Sequence, residues 1–350
     1  MEGLFLLIDN FQISDPLFVS SSRSIIFLTL LILNPVFLRA QDGADSSDSL
    51  HAHAASSAAA PQRTPFSLHE GRTIDSLRAL PFEGYDPARS QWQWPRVAIV
   101  GGVLGATVTA IHLYQQNAWW QDRRTSFHFQ NDPDYALNVD KAGHVYGGAL
   151  GSFIGQKSLE WSGASRSTAV WGGFAMGALF ELYVEFEDGF AQDWGFSPGD
   201  AIADVIGAAW PVVQYYVPYA EHFQPKYSYF PSQAFRDGTH KGNAIDDYEG
   251  QTYWMGVHVH GLLPRSWQSY WPEWLGLAVG VSVRNMPHWS TGDNPPMERN
   301  LILALDYDMT KILPGDSWLM RALKEGLNFI HFPAPAIRIS PNYVAYGLYF

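Results

Sequence analysis

From Val97 to Trp120 the chain carries no Asp, Glu, Lys or Arg. Such a stretch is long enough to span a bilayer or to form a central buried helix. Three further helical segments are predicted, at about Asn138 to Trp161, about Ser167 to Asp188, and Ser197 to about Tyr219. The last has a clear start, with Ser197 as N-cap, Pro198 at the first helical position and Asp200 two residues further in. Glycines recur four apart: Gly143, Gly147, Gly151 and Gly155 form one ridge, Gly101 and Gly105 a second, Gly173 and Gly177 a third. Each costs about 1 kcal/mol of helix stability relative to Ala, so close backbone approach between helices is the expected compensation. That approach suits membrane helices and tight water-soluble bundles alike, and the uncharged runs of the last three helices fall short of the roughly 20 residues of a span.

Beyond residue 250 the period changes to two. Met255, Val257 and Val259 alternate with Gly256, His258 and His260, and Leu275, Leu277, Val279, Val281 and Val283 alternate with Gly276, Ala278, Gly280, Ser282 and Arg284. Leu301, Leu303, Leu305 and Tyr307 repeat the pattern. These read as antiparallel strands with one buried face. A short helix at about Ser317 to Asn328 leads to a last strand region ending YVAYGLYF, whose alternating Tyr346, Leu348 and Phe350 are like the closing strand of an outer-membrane barrel. The readable strands are fewer than the roughly eight a closed barrel needs, so a small sheet beside the helices is expected. The predicted fold class is α+β, a glycine-ridged four-helix unit (93–220), a connector with Pro225, Pro231, Gly238, Gly242 and Gly250 (221–250), and a small antiparallel β-sheet with one short helix (251–350).

Ahead of these elements, Arg23, an apolar run from Ile25 to Leu38 and Leu38-Arg39-Ala40 before Gln41 have the order of a secretory signal over 1–40. Asp9 and Asp15 are foreign to such a signal and fit a later translation start; a retained membrane anchor is the alternative reading. Residues 41–92 begin rich in Ala, Ser, Asp and His and read as a disordered or extended tether. The expected location is outside the cytoplasm, in the periplasm or associated with the outer membrane, with an envelope membrane as partner.

Composition sharpens this picture. Hydrophobic residues are 47% and charged residues 16% of the 350, against about 25% charged in ordinary soluble domains. The deficit implies a large buried or lipid-facing surface. A net charge of -12 argues against nucleic acid, which is bound through clustered Lys and Arg. Zero cysteines exclude disulfides, Cys-type zinc sites and Cys lipidation within this sequence. Phosphate-cradling loops, nucleophile elbows and metalloprotease helix motifs are absent.

Candidate chemistry lies in ELYVEFEDGFAQDWGFSPGDAIAD, residues 181–204, where seven acids stand without a Lys or Arg. On helices, Asp140 and His144 are i and i+4, Glu181, Glu185 and Asp188 are i, i+4 and i+7, and Asp200 and Asp204 are again i and i+4. Each set lines one stripe, and like charges at that spacing repel. Either the stripes converge and share protons, hydrogen bonds or a cation, or they face water. Convergence would offer Asp140, His144, Glu185, Asp188, Asp200 and Asp204 to a divalent metal such as Zn, Mn or Fe. Lys141 or Arg166 could neutralise the site instead, and Asp200 could merely complement its helix start. Glu181 and Glu187 are expected in solvent. His258 and His260 are a weak metal pair, expected as rim histidines on a strand, and Trp119, Trp120, Trp161, Trp171, Trp194 and Trp210 fit either an interfacial belt or ordinary core and surface positions.

The ordered set DKAGH at 140–144, VEFEDG at 184–189, WGFSPGD at 194–200 and Asp204 followed by Gly207 resembles the YfiM-like family of predicted bacterial periplasmic lipoproteins, a domain of unknown function. It is more faintly similar to VanZ-like membrane proteins with a comparable Asp-Lys-His, Glu, Ser-Asp series. The resemblance covers about 94–220; WPEWLGLAVGVSVRNMPHWSTG and LALDYDMTKI look like the longer family members. Asp140, Lys141, His144, Glu185, Asp188, Ser197, Asp200 and Gly207 match the family pattern, whereas Asp204 stands where asparagine is commoner. The resemblance implies an envelope location and assigns no reaction. Two functions follow: a structural or interaction role in which the polar cluster, with Lys141 and Ser197, fixes helix register, or a metal-dependent or acid-base enzyme acting on an envelope lipid or glycan, with His144 and Glu185 as ligand or general base.

Overall fold

The structure, a computed structural model, describes residues 80–116, 120, 124–240, 242–287 and 296–350. The expected signal segment and the tether up to residue 79 lie outside the described residues, as does Trp119.

Four long helices form first: α1 (Trp94–Gln116), α2 (Val139–Trp161), α3 (Arg166–Asp188) and α4 (Pro198–Tyr216). Their starts follow local chemistry. Ser165 accepts from the Thr168 amide, and Ser197 accepts from the Asp200 amide just ahead of Pro198. Glycine lets α2, α3 and α4 approach closely. A Cβ on Gly177 of α3 would lie 2.6 Å from the Ser152 amide of α2, and one on Gly207 of α4 would lie 2.1 Å from the Val145 carbonyl of α2. The α1 glycines are different, because Gly101 and Gly105 have nothing among the described residues within 4 Å of an added Cβ. Helix α1 touches the bundle through few groups, among them the Arg96 guanidinium, which donates to the Trp161 carbonyl, and His112, paired with the Tyr183 hydroxyl. Among the described residues it is the one helix long and apolar enough to cross a membrane, and only 6% of its most apolar window is buried.

A six-stranded antiparallel sheet follows, in plain sequence order: β1 (Phe223–Tyr229), β2 (Gln251–Val257), β3 (Leu275–Arg284), β4 (Glu298–Tyr307), β5 (Ala334–Ser340) and β6 (Val344–Tyr349). Helix α5 (Trp318–Leu327) separates β4 from β5. Strand β1 lies inside the stretch expected as connector. Its sequence FQPKYSY conceals a strand behind Pro225, and an edge strand tolerates proline.

Two expectations about the strands are corrected. Residues 258–260 do not continue β2: His258 precedes a one-turn helix, Val259–Leu262, that holds His260, so no His-x-His strand pair exists. The second correction concerns which face is buried. In β3 the covered residues are Gly276, Ala278, Gly280 and Ser282 on one face and, on the other, Val283 at the end packed on the helices, while Leu277 and Val279 are exposed. The row Gly256–Ala278–Ala304–Ala336 runs across four strands on the inner side, and Met255–Val279–Leu303–Ile337 runs across the same strands on the outer side.

Small residues on the inner face let the sheet curl tightly. The segment entering β5 pairs with the outer edge of β1: the Tyr227 amide donates to the Phe329 carbonyl and the His331 amide to the Tyr227 carbonyl, both at 2.9 Å. The enclosed space holds Trp254 stacked on His331 at 3.9 Å, and a fully buried ion pair, Lys226 Nζ to Asp306 at 2.8 Å. The outer face meets the helices along one side only, where Tyr146 of α2 packs against Tyr227 and Tyr253 with ring centroids 5.4 and 6.0 Å apart.

Candidate functional site

The polar stripes converge at one end of the helical bundle. Helix α2 presents Asp140, Lys141 and His144 from its first turns, α3 presents Glu185 from its last turn, and α4 presents Asp200 and Asp204 from its first turns. The close approach at Gly207 brings the Asp204 turn of α4 onto α2, and Gly148 assists, since a Cβ there would lie 2.4 Å from the Asp204 carbonyl. The entry to α2 is strained: Ala136, Leu137 and Asn138 all have positive φ, at 45°, 51° and 66°. This turn seats Asp140 and packs Ala136 and Val139 on Val283 of β3.

His144 is the centre of the arrangement. Its Nδ1 lies 2.9 Å from Asp204 Oδ1, the contact that fixes the ring. Its Nε2 then faces three carboxylate oxygens at nearly one distance: Asp200 Oδ1 at 3.7 Å, Asp140 Oδ1 at 3.8 Å and Glu185 Oε1 at 3.8 Å. These separations exceed a hydrogen bond. A carboxylate bonded to one imidazole nitrogen while the other points into a ring of oxygens is the arrangement by which proteins orient metal-binding histidines. Two groupings offer ligand atoms close enough for one ion, Asp140–His144–Asp200 and His144–Glu185–Asp204. Two of the acids keep an oxygen without a hydrogen-bond partner, Asp200 Oδ1 and Asp204 Oδ2, although these residues are only 4% and 0% exposed.

Further side chains and amides hold these carboxylates in place. Lys141 Nζ lies 2.7 Å from Asp200 Oδ1, 3.0 Å from Asp132 Oδ1 and 3.2 Å from Asp140 Oδ2. At Asp200 Oδ1 the ammonium supplies charge without a well-directed hydrogen bond. The Ser197 hydroxyl donates to Asp132 at 2.7 Å, the Ser197 amide donates to Glu185 Oε2 at 3.1 Å, and the Tyr248 hydroxyl donates to Asp140 Oδ1 at 2.7 Å. Lys141 and Ser197 thus lie within the polar cluster.

Electrostatics reflect the crowding. Burial pushes the Glu185 carboxyl up to about 8 against the opposing charge of His144. Burial and then the Asp140 charge lift Asp200 to about 6, and burial raises Asp204 despite its bond to His144. For His144, burial favours the neutral ring, but the bond to Asp204 and the charges of Asp204, Asp140 and Asp200 outweigh it and raise it to about 10. Burial also opposes the Lys141 charge, yet its contacts with Asp200, Asp140 and Asp132 raise it. The excess acid is therefore held by two protonated bases and by carboxyls that resist ionisation.

Several positions differ from the sequence expectation. Asp188 stands apart from both ligand groupings, because its Oδ1 accepts from Trp120 Nε1 at 2.6 Å. Glu181 is turned onto Gly147 of α2 rather than into solvent, and burial followed by the Asp204 charge pushes it up to about 7. Glu187 is paired with Arg124 at 3.0 Å. Arg166 begins α3 at the opposite end of the bundle, roughly 30 Å from the site at 1.5 Å per residue, and cannot neutralise it. Asp132 and Tyr248 belong to the cluster and escaped the sequence reading. Asp132 sits in a short acidic loop shortly before DKAGH, a position that could have marked it; Tyr248 comes from the 221–250 stretch and carries no local signal.

Residues 128–216, which contain almost all of this site, match the model of a family described as "Predicted periplasmic lipoprotein (DUF2279)". No curated protein and no solved structure matches the chain. The match covers the three helices and the loop that build the cluster, and the similarity is to a family of unknown function. The sequence has no cysteine to carry the lipid that the family description implies. The protein is an exported one, of the periplasm or associated with the outer membrane.

Proposed function

We propose that the helical unit binds one divalent cation through His144 Nε2 and the carboxylates of Asp140, Glu185 and Asp200, and that the ion ties α2, α3 and α4 together in an envelope protein held at a membrane by α1. The observation that carries this reading is the ring of three carboxylate oxygens at 3.7–3.8 Å around an imidazole nitrogen whose partner nitrogen is fixed by Asp204. Ligands about 2.1 Å from a zinc-like ion stand about 3.0–3.4 Å apart, so each carboxylate oxygen must approach His144 Nε2 by a few tenths of an ångström, and Glu185, which groups with His144 but not with Asp140 and Asp200, must move further. Imidazole with carboxylates suits Zn, Mn or Fe. The likeness to the YfiM-like proteins, and more distantly to VanZ-like membrane proteins, agrees with a shared Asp, Lys, His, Glu, Ser, Asp series, and export through residues 1–40 belongs to the same proposal.

A second reading is a metal-dependent hydrolytic or acid-base enzyme acting on an envelope lipid or glycan. It draws on one feature: the side chains of Lys141, His144 and Asp132 remain 17%, 21% and 16% exposed, so one flank of the cluster meets solvent. Metal analysis of the purified full chain tests the common premise. One divalent ion per chain is expected, lost in Glu185→Gln and His144→Asn and retained in Asp188→Asn. Metal-free protein, or equal loss in all three variants, refutes it. Turnover of a lipid or glycan substrate that disappears with the ion favours the enzyme; an ion whose removal only loosens the helices favours the structural role.

A further inference from the structure

The outer face of the curled sheet has an inverted character. In water a sheet sorts Leu, Val and Ile inward and polar residues outward. Here Val279, Leu303 and Ile337 form a cross-strand row on the outside at 42%, 43% and 38% exposure, flanked by Leu277 and Ile339 at 43% and 44%. The inside meanwhile contains the Lys226–Asp306 ion pair, and Asn300 donating to Ser282 Oγ at 3.1 Å while accepting from Arg338. An interior that mixes these charged and polar groups with Trp254, Ile302 and alanines, beneath an apolar exterior, is closer to the sorting of membrane β-structure than to that of a sheet in water.

Three further features identify the medium that the outer face suits. Strands β3 and β4 have 10 residues each, within the roughly 9–11 of a membrane-crossing strand. The apolar band is bounded unlike at its two ends. At the β2–β3 end stand Trp267, Tyr270 and Trp274 at 64%, 85% and 44% exposure, residue types that favour the headgroup layer. At the other end Arg284 pairs in register with Glu298, and Arg299 follows. Third, the same chain carries α1, uncharged from Val97 onward and scarcely buried by protein, which needs an apolar surrounding of its own. A protein partner could cover the band but would account neither for α1 nor for the aromatic end.

We infer that the outer face of β3, β4 and β5 contacts the hydrocarbon of an envelope phospholipid bilayer, with Trp267, Tyr270 and Trp274 at its headgroup boundary. The inference extends the membrane association attributed to α1 and is independent of the metal centre. The lack of native cysteine makes the test clean. Leu303→Cys, Ile337→Cys, Tyr270→Cys and Val108→Cys, each in the full chain and retaining the parent circular dichroism, carry one nitroxide apiece. They are reconstituted into phosphatidylethanolamine/phosphatidylglycerol vesicles, and collision with oxygen is compared with collision with a water-soluble nickel chelate. Labels at 303 and 337 should collide with oxygen and be shielded from nickel, with the label at 270 markedly more open to nickel than either. Nickel access at 303 and 337 equal to that at 270 overturns the inference, as does occlusion from both reagents, which would mean that protein covers the band. A lipid-exposed label at 108 beside water-exposed labels at 303 and 337 overturns the sheet contact alone; water exposure at all three overturns the membrane association as well.

Discussion

Replacing Gly207 with Ala tests whether helix packing builds the polar centre. The new Cβ would lie 2.1 Å from the Val145 carbonyl oxygen and 2.7 Å from its carbon, where real Cβ atoms essentially never come within 3.0 Å. Both contacts are to backbone, so no rotamer change relieves them and α4 must withdraw from α2 by about 1 Å. Overpacking of this kind costs about 1–3 kcal/mol, and a backbone clash belongs at the upper end. Alanine recovers about 1 kcal/mol of helix propensity, which leaves a net loss of about 2 kcal/mol. Asp204 sits three residues earlier on the same helix, so the withdrawal also stretches its 2.9 Å contact with His144. Disturbing such an orienting carboxylate lowers metal affinity by about 10–100-fold. The control is Gly105→Ala on α1, where nothing lies within 4 Å; it should gain up to about 1 kcal/mol and leave metal affinity unchanged. Unfolding followed by circular dichroism in detergent, with metal titration of each folded variant, reads both effects. A Gly207→Ala protein as stable as the parent and with the parent's metal affinity would refute the argument that this close approach positions the site.

Two predictions concern the interior of the sheet. Asp306→Ala strands the Lys226 ammonium, which is 0% exposed, and should cost about 3–5 kcal/mol in an unfolding titration, whereas Lys226→Met combined with Asp306→Leu should recover most of it; equal losses in the single and double variants would count against the pair. His331 is 2% exposed, and burial, with the Lys226 charge adding to it and Asp306 opposing, lowers its pKa from 6.5 to about 4. The unfolded chain binds the extra proton, so the His331 contribution to stability is constant above about pH 7 and falls as pH drops from 6.5 towards 4, by about 3 kcal/mol in total. His331→Gln should remove that slope, and an unchanged pH profile would show that another group titrates.

Helix boundaries and the polar stripes were legible in the sequence because they rest on local rules. Ser197, Pro198 and Asp200 announce α4 through capping chemistry, and the i, i+4 spacing of Asp140 with His144 and of Asp200 with Asp204 follows from helix geometry alone. The glycine spacing foretold close approach on α2 and α3, yet the same spacing on α1 meets nothing within 4 Å among the described residues, since a small-residue ridge records what a helix permits and not what it meets. The sheet's inverted faces were not legible. Alternation fixes two faces but carries no label for inside, and the usual assignment assumes water outside. Strand β1 was hidden because its inward residues, Lys226 and Ser228, are polar and draw their partners from strands far along the chain. Asp188 matched the stripe by spacing and was diverted by Trp120, a partner that helical periodicity does not contain.

The placement of the acids explains why the cluster needs positive charge. Asp140 and Asp200 lie in the first turns of α2 and α4, where the positive end of the helix dipole favours a carboxylate. Glu185 and Asp188 lie in the last turn of α3, where the dipole opposes them. The folded arrangement sets this disfavoured end against the two favoured ones, and Ser197 covers Glu185 Oε2 with a single amide. Among the described residues Glu185 has no Lys or Arg in hydrogen-bond contact, and burial pushes it up to about 8, above its neighbours Asp188 and Asp200. Lys141 reaches Asp132, Asp140 and Asp200, which leaves the remaining side, between His144 Nε2 and Glu185 Oε1, as the place where a cation relieves the most repulsion. A neutral hydrogen-bonded network would have been served by Gln at 185, which accepts the Ser197 amide without the charge. Glutamate at the unfavourable end of α3 is therefore the residue whose charge the proposed cation would offset most.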